Sequence, residues 1–453
     1  MKMFHLKPSA LRWFLSAALV IGLAACSRVD RQLEESVIEA ARRAPGFAPP
    51  WEARLREIVR LHLDDLHHNN RKPEKIRLAR AAIAAGCQDP LVRYIMFRHR
   101  IQNIDISTPD LAREGAALAE QLEKGNYPPY LRAYAAVRAF ETWNKAFSPE
   151  EEIAGRSRLN DLFWRATFAT VKDPALPEWI VRPVAELLAL TWKNNEEHRD
   201  QIASLLDDGL TRRFGDCATV HYLRAQQAVQ RGWVARGNGT ASTVAREGWV
   251  AFERELHTAQ LELDRAWQLD PHDVDIAETA ITTCMGLGAP REDMERWFKR
   301  GLAAGPDASA LCDAKHYFLA PKWGGSRQAQ FAFARECLAG RGYGSRSHLL
   351  LWITHYQVQR QTPLPESYFA QPEVWADIKR SFEAFFAVCP EEMHYRVDFA
   401  YHAWVAQDWP LCAEQLGLVE PELSDFSWIG GREVYERMVA EVKAHQANPV
   451  STK

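Results

Sequence analysis

Among the residues of this 453-residue chain that could do chemistry, His394, Asp398 and His402 stand out first. They fall at i, i+4 and i+8, so a helix through this stretch presents two imidazoles and a carboxylate as one stripe. These are zinc-compatible ligands, although the glutamate base of an H-E-x-x-H site is missing and only Asp398 stands between the histidines. Tyr401 and Trp404 beside the stripe fit a packed helix face equally well. A second polar cluster, His62, Asp64, Asp65, His67 and His68, closes an apolar helical pattern, where the helix dipole also favours histidine. Ser326 follows two glycines, but no G-x-S-x-G surrounds it and capping accounts for a serine before a helix. Arg236-Gly237-Asn238-Gly239-Thr240 has glycines like a phosphate loop, yet lacks the G-K-[ST] ending and a preceding strand. Paired acids such as Glu196-Glu197 would serve glycoside hydrolysis only if two carboxylates faced each other across a groove. No cofactor is indicated, and no catalytic residue is assigned.

One thiol carries a definite chemical reading. Leu23-Ala24-Ala25-Cys26 follows basic Lys2, Lys7 and Arg12 and an apolar run from Trp13 to Ala25. A basic start, a short apolar core and small residues before the cut form a bacterial secretory signal, too short for the roughly 20 residues of a membrane span. The last four positions resemble the lipobox of bacterial lipoproteins, which implies that Cys26 is acylated and becomes the first residue. Ser27, rather than an aspartate, implies outer-membrane delivery facing the periplasm. The expected partner of this end of the chain is therefore the membrane, through lipid.

The remaining composition is that of a folded soluble protein, with 47% hydrophobic and 25% charged residues. Net charge is −3 and no basic block stands out, which argues against nucleic acid as a partner. Seven cysteines remain besides Cys26, at 87, 217, 284, 312, 337, 389 and 412, without a C-x-x-C. A zinc ribbon or redox motif is unsupported; an oxidising periplasm permits a disulfide, but spacing cannot name the pair. Most of the 16 tryptophans lie at helical spacing among apolar residues and read as core.

The elements that position these groups read as helices almost throughout. Leu55, Ile58, Val59, Leu61, Leu63 and Leu66 recur at spacings of three and four, and comparable patterns follow over 75–85, 90–101, 108–124, 129–146, 150–171, 178–193 and 198–213. Ser148-Pro149-Glu150-Glu151 reads as a capping box that opens one of them. No strand pairs with hairpin turns are evident. The expected fold is all-α, stacked helical hairpins of tetratricopeptide-like (α-solenoid) type. Ala266-Trp267-Gln268-Leu269-Asp270-Pro271 and Gly301-Leu302-Ala303-Ala304-Gly305-Pro306 end two helices 35 positions apart, close to the tetratricopeptide period. The period fades after about 345. Gly232 to Gly248 is expected to be a loop or insertion, Pro321 to Ser326 a turn between two helices, and Pro363 and Pro365 a linker. The segments are a signal over 1–25, a lipidated tether over 26–50, helical regions over 51–215 and 346–447, a central repeat region over 216–345, and a tail over 448–453.

Three pieces of the centre resemble an uncharacterised bacterial family with a tetratricopeptide-like domain of unknown function. They are Trp233-x-x-Arg236-Gly237-x-Gly239 with Gly248-Trp249-x-x-Phe252, the Ala266 to Pro271 turn leading to Met285-Gly286-Leu287-Gly288, and Leu319-Ala320-Pro321-Lys322-Trp323-Gly324-Gly325-Ser326. The resemblance covers about 216–345 and implies a helical fold, with no reaction or substrate. It marks Arg236, Gly237, Gly239 and Pro321, Lys322, Trp323, Gly324, Gly325 and Ser326 as candidate structural or binding loops. Taken together, the expected function is that of a lipid-anchored scaffold binding a protein or peptide. The competing expectation is an envelope enzyme acting on cell-wall glycan or peptide.

Metabolic labelling with a fatty-acid analogue should mark the wild-type protein and spare Cys26→Ser; equal labelling of both would remove the lipid anchor from this account.

Overall fold

A computed structural model describes residues 30–447, apart from 45–46, 48–50, 69–72, 103–107, 149, 192–197, 238, 306, 341, 363, 391, 393–394, 420 and 422–425. The lipobox, His394, Pro306, the Glu196-Glu197 pair and the tail from 448 thus lie outside the described residues. No strand occurs among the described residues, and helix follows helix as the apolar spacing requires. The chain groups into two compact units that divide between Val184 and Ala185, inside one helix. The segment boundaries at 215 and 345 drawn from the sequence both fall within the second unit.

The first unit begins with a helix over 30–43, α1, where a tether was expected. Leu33, Val37, Ile38 and Ala41 recur at helical spacing and are all buried, so this stretch is part of the core. The unit continues through α2 (Glu52–His68), α3 (Pro73–Ala84), α4 (Pro90–Gln102), α5 (Pro109–Lys124), α6 (Pro129–Ala146), α7 (Ile153–Lys172) and the start of α8 (Glu178–Thr191). Glu34 of α1 is nearly buried and accepts from Arg56 Nη1 at 3.0 Å and Arg60 Nε at 2.8 Å on α2. Burial pushes its carboxyl up, but the bonds from the two guanidinium groups outweigh that and leave it lowered.

Asp89 fixes the next junction. Its carboxylate caps α4 by accepting from Leu91 N (2.9 Å) and Val92 N (3.1 Å), and it also accepts from Tyr127 Oη at 2.6 Å. A buried acid with three donors is tolerable, where an unpaired one would be costly. Close helix approach in this unit depends on small residues. At Gly155 of α7 a Cβ would come within 2.1 Å of the Trp143 ring on α6, and the indole fills that space. The capping box at Ser148 is half formed. Ser148 N donates to Glu151 at 2.8 Å, but the helix starts later, at Ile153.

The second unit continues through two short helices (Arg199–Ser204 and Leu210–Phe214, numbered α9 and α10) joined by a π-turn, then pairs helix against helix. Its hairpins are α11 (Ala218–Arg236) with α12 (Arg246–Leu269), α13 (Val274–Gly286) with α14 (Arg291–Ala304), and α15 (Ser309–Phe318) with α16 (Arg327–Ala339). They continue as α17 (Leu350–Gln361) with α18 (Pro372–Val388) and α19 (Arg396–Val405) with α20 (Trp409–Gly417), closed by α21 (Arg432–Ala447). Within this stack α13 packs against α12, α14 and α15. The hairpins therefore outlast the sequence period, because short 3-10 turns at Ser345–Leu349 and Glu366–Ala370 add residues between helices.

One expectation is corrected here. The loop read over 232–248 is only 237–245, because α11 runs on to Arg236 and α12 starts at Arg246. Gly232 lies inside α11, beside Phe252 of α12, and does not break the helix.

Gly155→Ala should lower stability by about 1–3 kcal/mol through overpacking against Trp143, read as a fall in the denaturant midpoint of the full chain. Trp143→Phe in the same background should recover part of that loss by freeing space for the new methyl.

Candidate functional site

The two candidate loops turn out to be self-contained. Arg236 lies over the rings of Trp233 (5.5 Å) and Trp249 (5.0 Å), and its Nη1 donates to Gly237 O and Gly239 O, both at 3.1 Å. A guanidinium so engaged holds the α11–α12 connection closed; its donors face its own loop. In the other loop Pro321–Trp323 forms a 3-10 turn, and Gly324 takes φ +82°, which favours glycine. A Cβ on Gly325 would stand 2.1 Å from Leu319 O. Ser326 caps α16 by accepting from Ala329 N at 3.1 Å, as its position implied. Lys322 lies 4.0 Å from the Tyr317 ring centre and donates to its hydroxyl, and Trp323 is half-buried beside Tyr317. The first loop joins α11 to α12 and the second joins α15 to α16.

His402 of the proposed metal stripe has another task. Its Nε2 accepts from Trp352 Nε1 at 2.8 Å, and its ring meets Phe369 edge-on at 4.7 Å. Burial pushes its pKa down to about 3, so the ring is neutral and serves as an acceptor inside an aromatic core of Trp352, Phe369, Phe382 and Phe399. Asp398 is buried on the same helix. No group of three or more metal-ligating side chains occurs among the described residues. His62 is likewise buried, its pKa held well below the ordinary histidine range by burial, with Lys75 and Arg98 adding to the effect.

The groups that do converge belong to no sequence motif. They lie on the first helices of successive hairpins in the second unit. Glu278 of α13 is half-buried, and burial raises its carboxyl to about 7, with Asp275, Asp313 and Glu186 each adding to the rise. Asp313 of α15 is raised by burial and pulled back by Arg346, whose Nη2 stands 3.8 Å away. Tyr395, just before α19, is raised by burial while it feels Arg346 and, in the other direction, Asp398, Glu392 and Asp313. Acids from α8, α13, α15 and α19, the Tyr395 phenol and the Arg346 guanidinium thus lie within electrostatic reach of one another.

Arg346 is set in place by the turn before α17. Gly344 has φ +84° and abuts Asp307 and Ser309 so closely that a Cβ would fall 2.1 Å from Asp307 Oδ1. Ser309 Oγ donates to Asp307 at 2.7 Å and accepts from Arg346 N at 3.2 Å. The helical repeat itself aligns the acids. Asp313 comes 35 positions after Glu278, the same interval that separates the two Pro-containing turns, so the pair occupies equivalent places in adjacent hairpins. That interval was the signal available in the sequence, but acids on a helix normally face solvent and gave no reason to be singled out.

The first unit offers less. A small, mostly apolar cleft is lined by Trp51, Arg54, Leu55, Ile58, Cys87 and Asp89, but the Asp89 carboxylate is committed to α4 and Tyr127. Comparisons of the chain with models of protein families, with curated proteins and with solved structures found no match.

A carboxyl whose folded pKa of about 7 exceeds its unfolded value of 4.5 binds more protons in the folded state between those limits. Stability then falls as pH rises through that window and is lowest above it. Glu278→Gln should therefore stabilise the protein at pH 8, by on the order of 1 kcal/mol after allowance for solvent screening, and by much less at pH 5. Equal effects at both pH values in thermal melts would contradict this placement of the charge.

Proposed function

We propose that this protein is a lipid-anchored scaffold of the bacterial envelope whose second unit binds a protein or peptide segment carrying basic side chains. What supports the reading most is the charge around Glu278. Three further carboxyls press on it, and no ion pair from a described residue relieves it. A lysine or arginine brought by a partner would supply the missing cation and let Glu278 ionise, which turns the cost of crowding acids into binding energy. Arg346 already faces Asp313 at 3.8 Å, so a basic partner residue is directed to Glu278. Successive hairpins of a tetratricopeptide-like array commonly present such extended surfaces. Attachment through Cys26 and exposure to the periplasm rest on the lipobox-like signal; no helix among the described residues is long and apolar enough to cross a membrane.

The competing enzyme reading has one observation in its favour. A carboxyl at about 7 has the protonation of a general acid at neutral pH. Hydrolysis of a glycan, however, needs a second carboxylate whose environment keeps it ionised. Asp313 is the neighbouring candidate for that role, but Arg346 already engages it at 3.8 Å. A cationic partner would relieve the crowding at Glu278, which keeps binding as the leading reading.

The test is fluorescence anisotropy with labelled peptides of matched length that are lysine-rich, acidic or neutral, added to the full chain. The lysine-rich peptide should bind, weaken about tenfold or more as salt rises from 50 to 500 mM, and weaken again with Glu278→Gln and Asp313→Asn. Indifference to both substitutions, in variants that keep the helicity of the wild type, would sink the proposal. Turnover of cell-wall fragments that is lost in Glu278→Gln would instead establish the enzyme.

A further inference from the structure

Seven cysteines stand apart from Cys26, and the fold brings two of them together. Cys312 of α15 and Cys337 of α16 are both fully buried, in helices that pack against each other within one hairpin. Their thiols are in hydrogen-bonding contact, and Cys312 Sγ also donates to Tyr343 O at 3.5 Å. Around them Phe298, Phe333 and Tyr343 form a cluster of rings, with Phe298 and Phe333 edge to face at 5.4 Å. Side chains confined in this way hold the two sulfurs as neighbours, which is the condition that most cysteine pairs fail.

We propose that Cys312 and Cys337 form a disulfide when the chain folds in an oxidising compartment. The bond would staple α15 to α16 across the loop that carries Pro321 to Ser326. It would thereby brace the hairpin that presents Asp313. Both sulfurs are sealed off in the finished fold, and burial together with the neighbouring thiol raises the Cys312 pKa and makes its thiolate scarce there. Exchange therefore takes place before the hairpin closes.

The oxidant is a disulfide, of a protein oxidase or a small thiol. One cysteine thiolate attacks it, giving a mixed disulfide and releasing the first thiolate of the oxidant. The second cysteine thiolate attacks the sulfur of the first and releases the other. Two protons leave the cysteines for the two released thiolates, and the pair of electrons ends on the oxidant as two thiols. Closing this loop restricts the unfolded chain, so the oxidised protein melts higher than the reduced one.

The experiment is differential alkylation of the full mature chain, exported to a bacterial periplasm through a standard secretion signal, so that its own leader is not in question. Free thiols are blocked in acid-quenched, denatured samples, the protein is digested with trypsin without reduction, and peptides are identified by mass. The expected product is Gly301–Lys315 joined to Glu336–Arg341, the tryptic peptides that hold Cys312 and Cys337. Reduction should lower the melting temperature by about 5 °C, and Cys337→Ala should remove both the joined peptide and the redox dependence. Both thiols carrying the blocking reagent, or either one joined to a different cysteine, would overturn the proposal; the wild-type result stands even if the variant fails to fold. Because the export signal is supplied, an unlabelled Cys26 would count against the lipid anchor and leave this inference intact.

Discussion

Each hairpin of the second unit can bury its apolar stripe only against the next, and that constraint governs everything else in this region. Helix α13 shows it most directly. Ile276, Ala277, Ala280, Ile281 and Cys284 are buried where it meets α12, α14 and α15. The contact is close because small residues permit it: at Gly301 of α14 a Cβ would lie 2.7 Å from Leu311 and 2.9 Å from Ala277. Packing at this density leaves no tolerance for a shifted helix, so the side chains on the remaining face of α13 have fixed positions as well.

That remaining face is where the carboxyls are. Glu278 is raised because the helix that carries it is pressed between neighbours, and because the repeat places Asp313 in the equivalent position one hairpin on. Stability and binding are opposed at this point. The acids cost folding energy when ionised together, and a cationic partner would offset that cost. The turn that supports Arg346 is the counterpart. Gly344, Asp307 and Ser309 lock one cation at the edge of the acidic surface and leave Glu278 without one.

Two buried imidazoles tie neighbouring hairpins together by hydrogen bonds. His316 Nε2 meets Thr354 Oγ1 at 2.8 Å while Gln330 Nε2 donates to His316 O at 3.0 Å, so α15, α16 and α17 share one polar network. His402 accepts from Trp352 in the same manner between α19 and α17. These imidazoles are held neutral by burial, His316 at about 4 and His402 at about 3. Their type and spacing invited a metal reading, and their function in the fold is to let α15 and α19 dock onto α17 without an unsatisfied indole or hydroxyl.

The sequence alone determined the class of fold. Apolar residues at spacings of three and four, the Asp89-Pro90 start, the Gly86 stop and the Ser326 cap are local signals, because helix formation and capping depend on neighbours a few positions away. It also set the 35-residue interval that makes adjacent hairpins equivalent. What it left open were all the properties that depend on contact between distant segments. The helix over 30–43 looked like a tether because its value lies in the pairing of Glu34 with Arg56 and Arg60. Gly232 looked like a helix breaker because Phe252, its neighbour in space, is 20 positions away in the chain. The carboxyl of Glu278 acquires its proton affinity, and Cys312 its neighbour Cys337, only when the hairpins stack. Burial and proximity are created by the tertiary structure, and no residue carries them by itself.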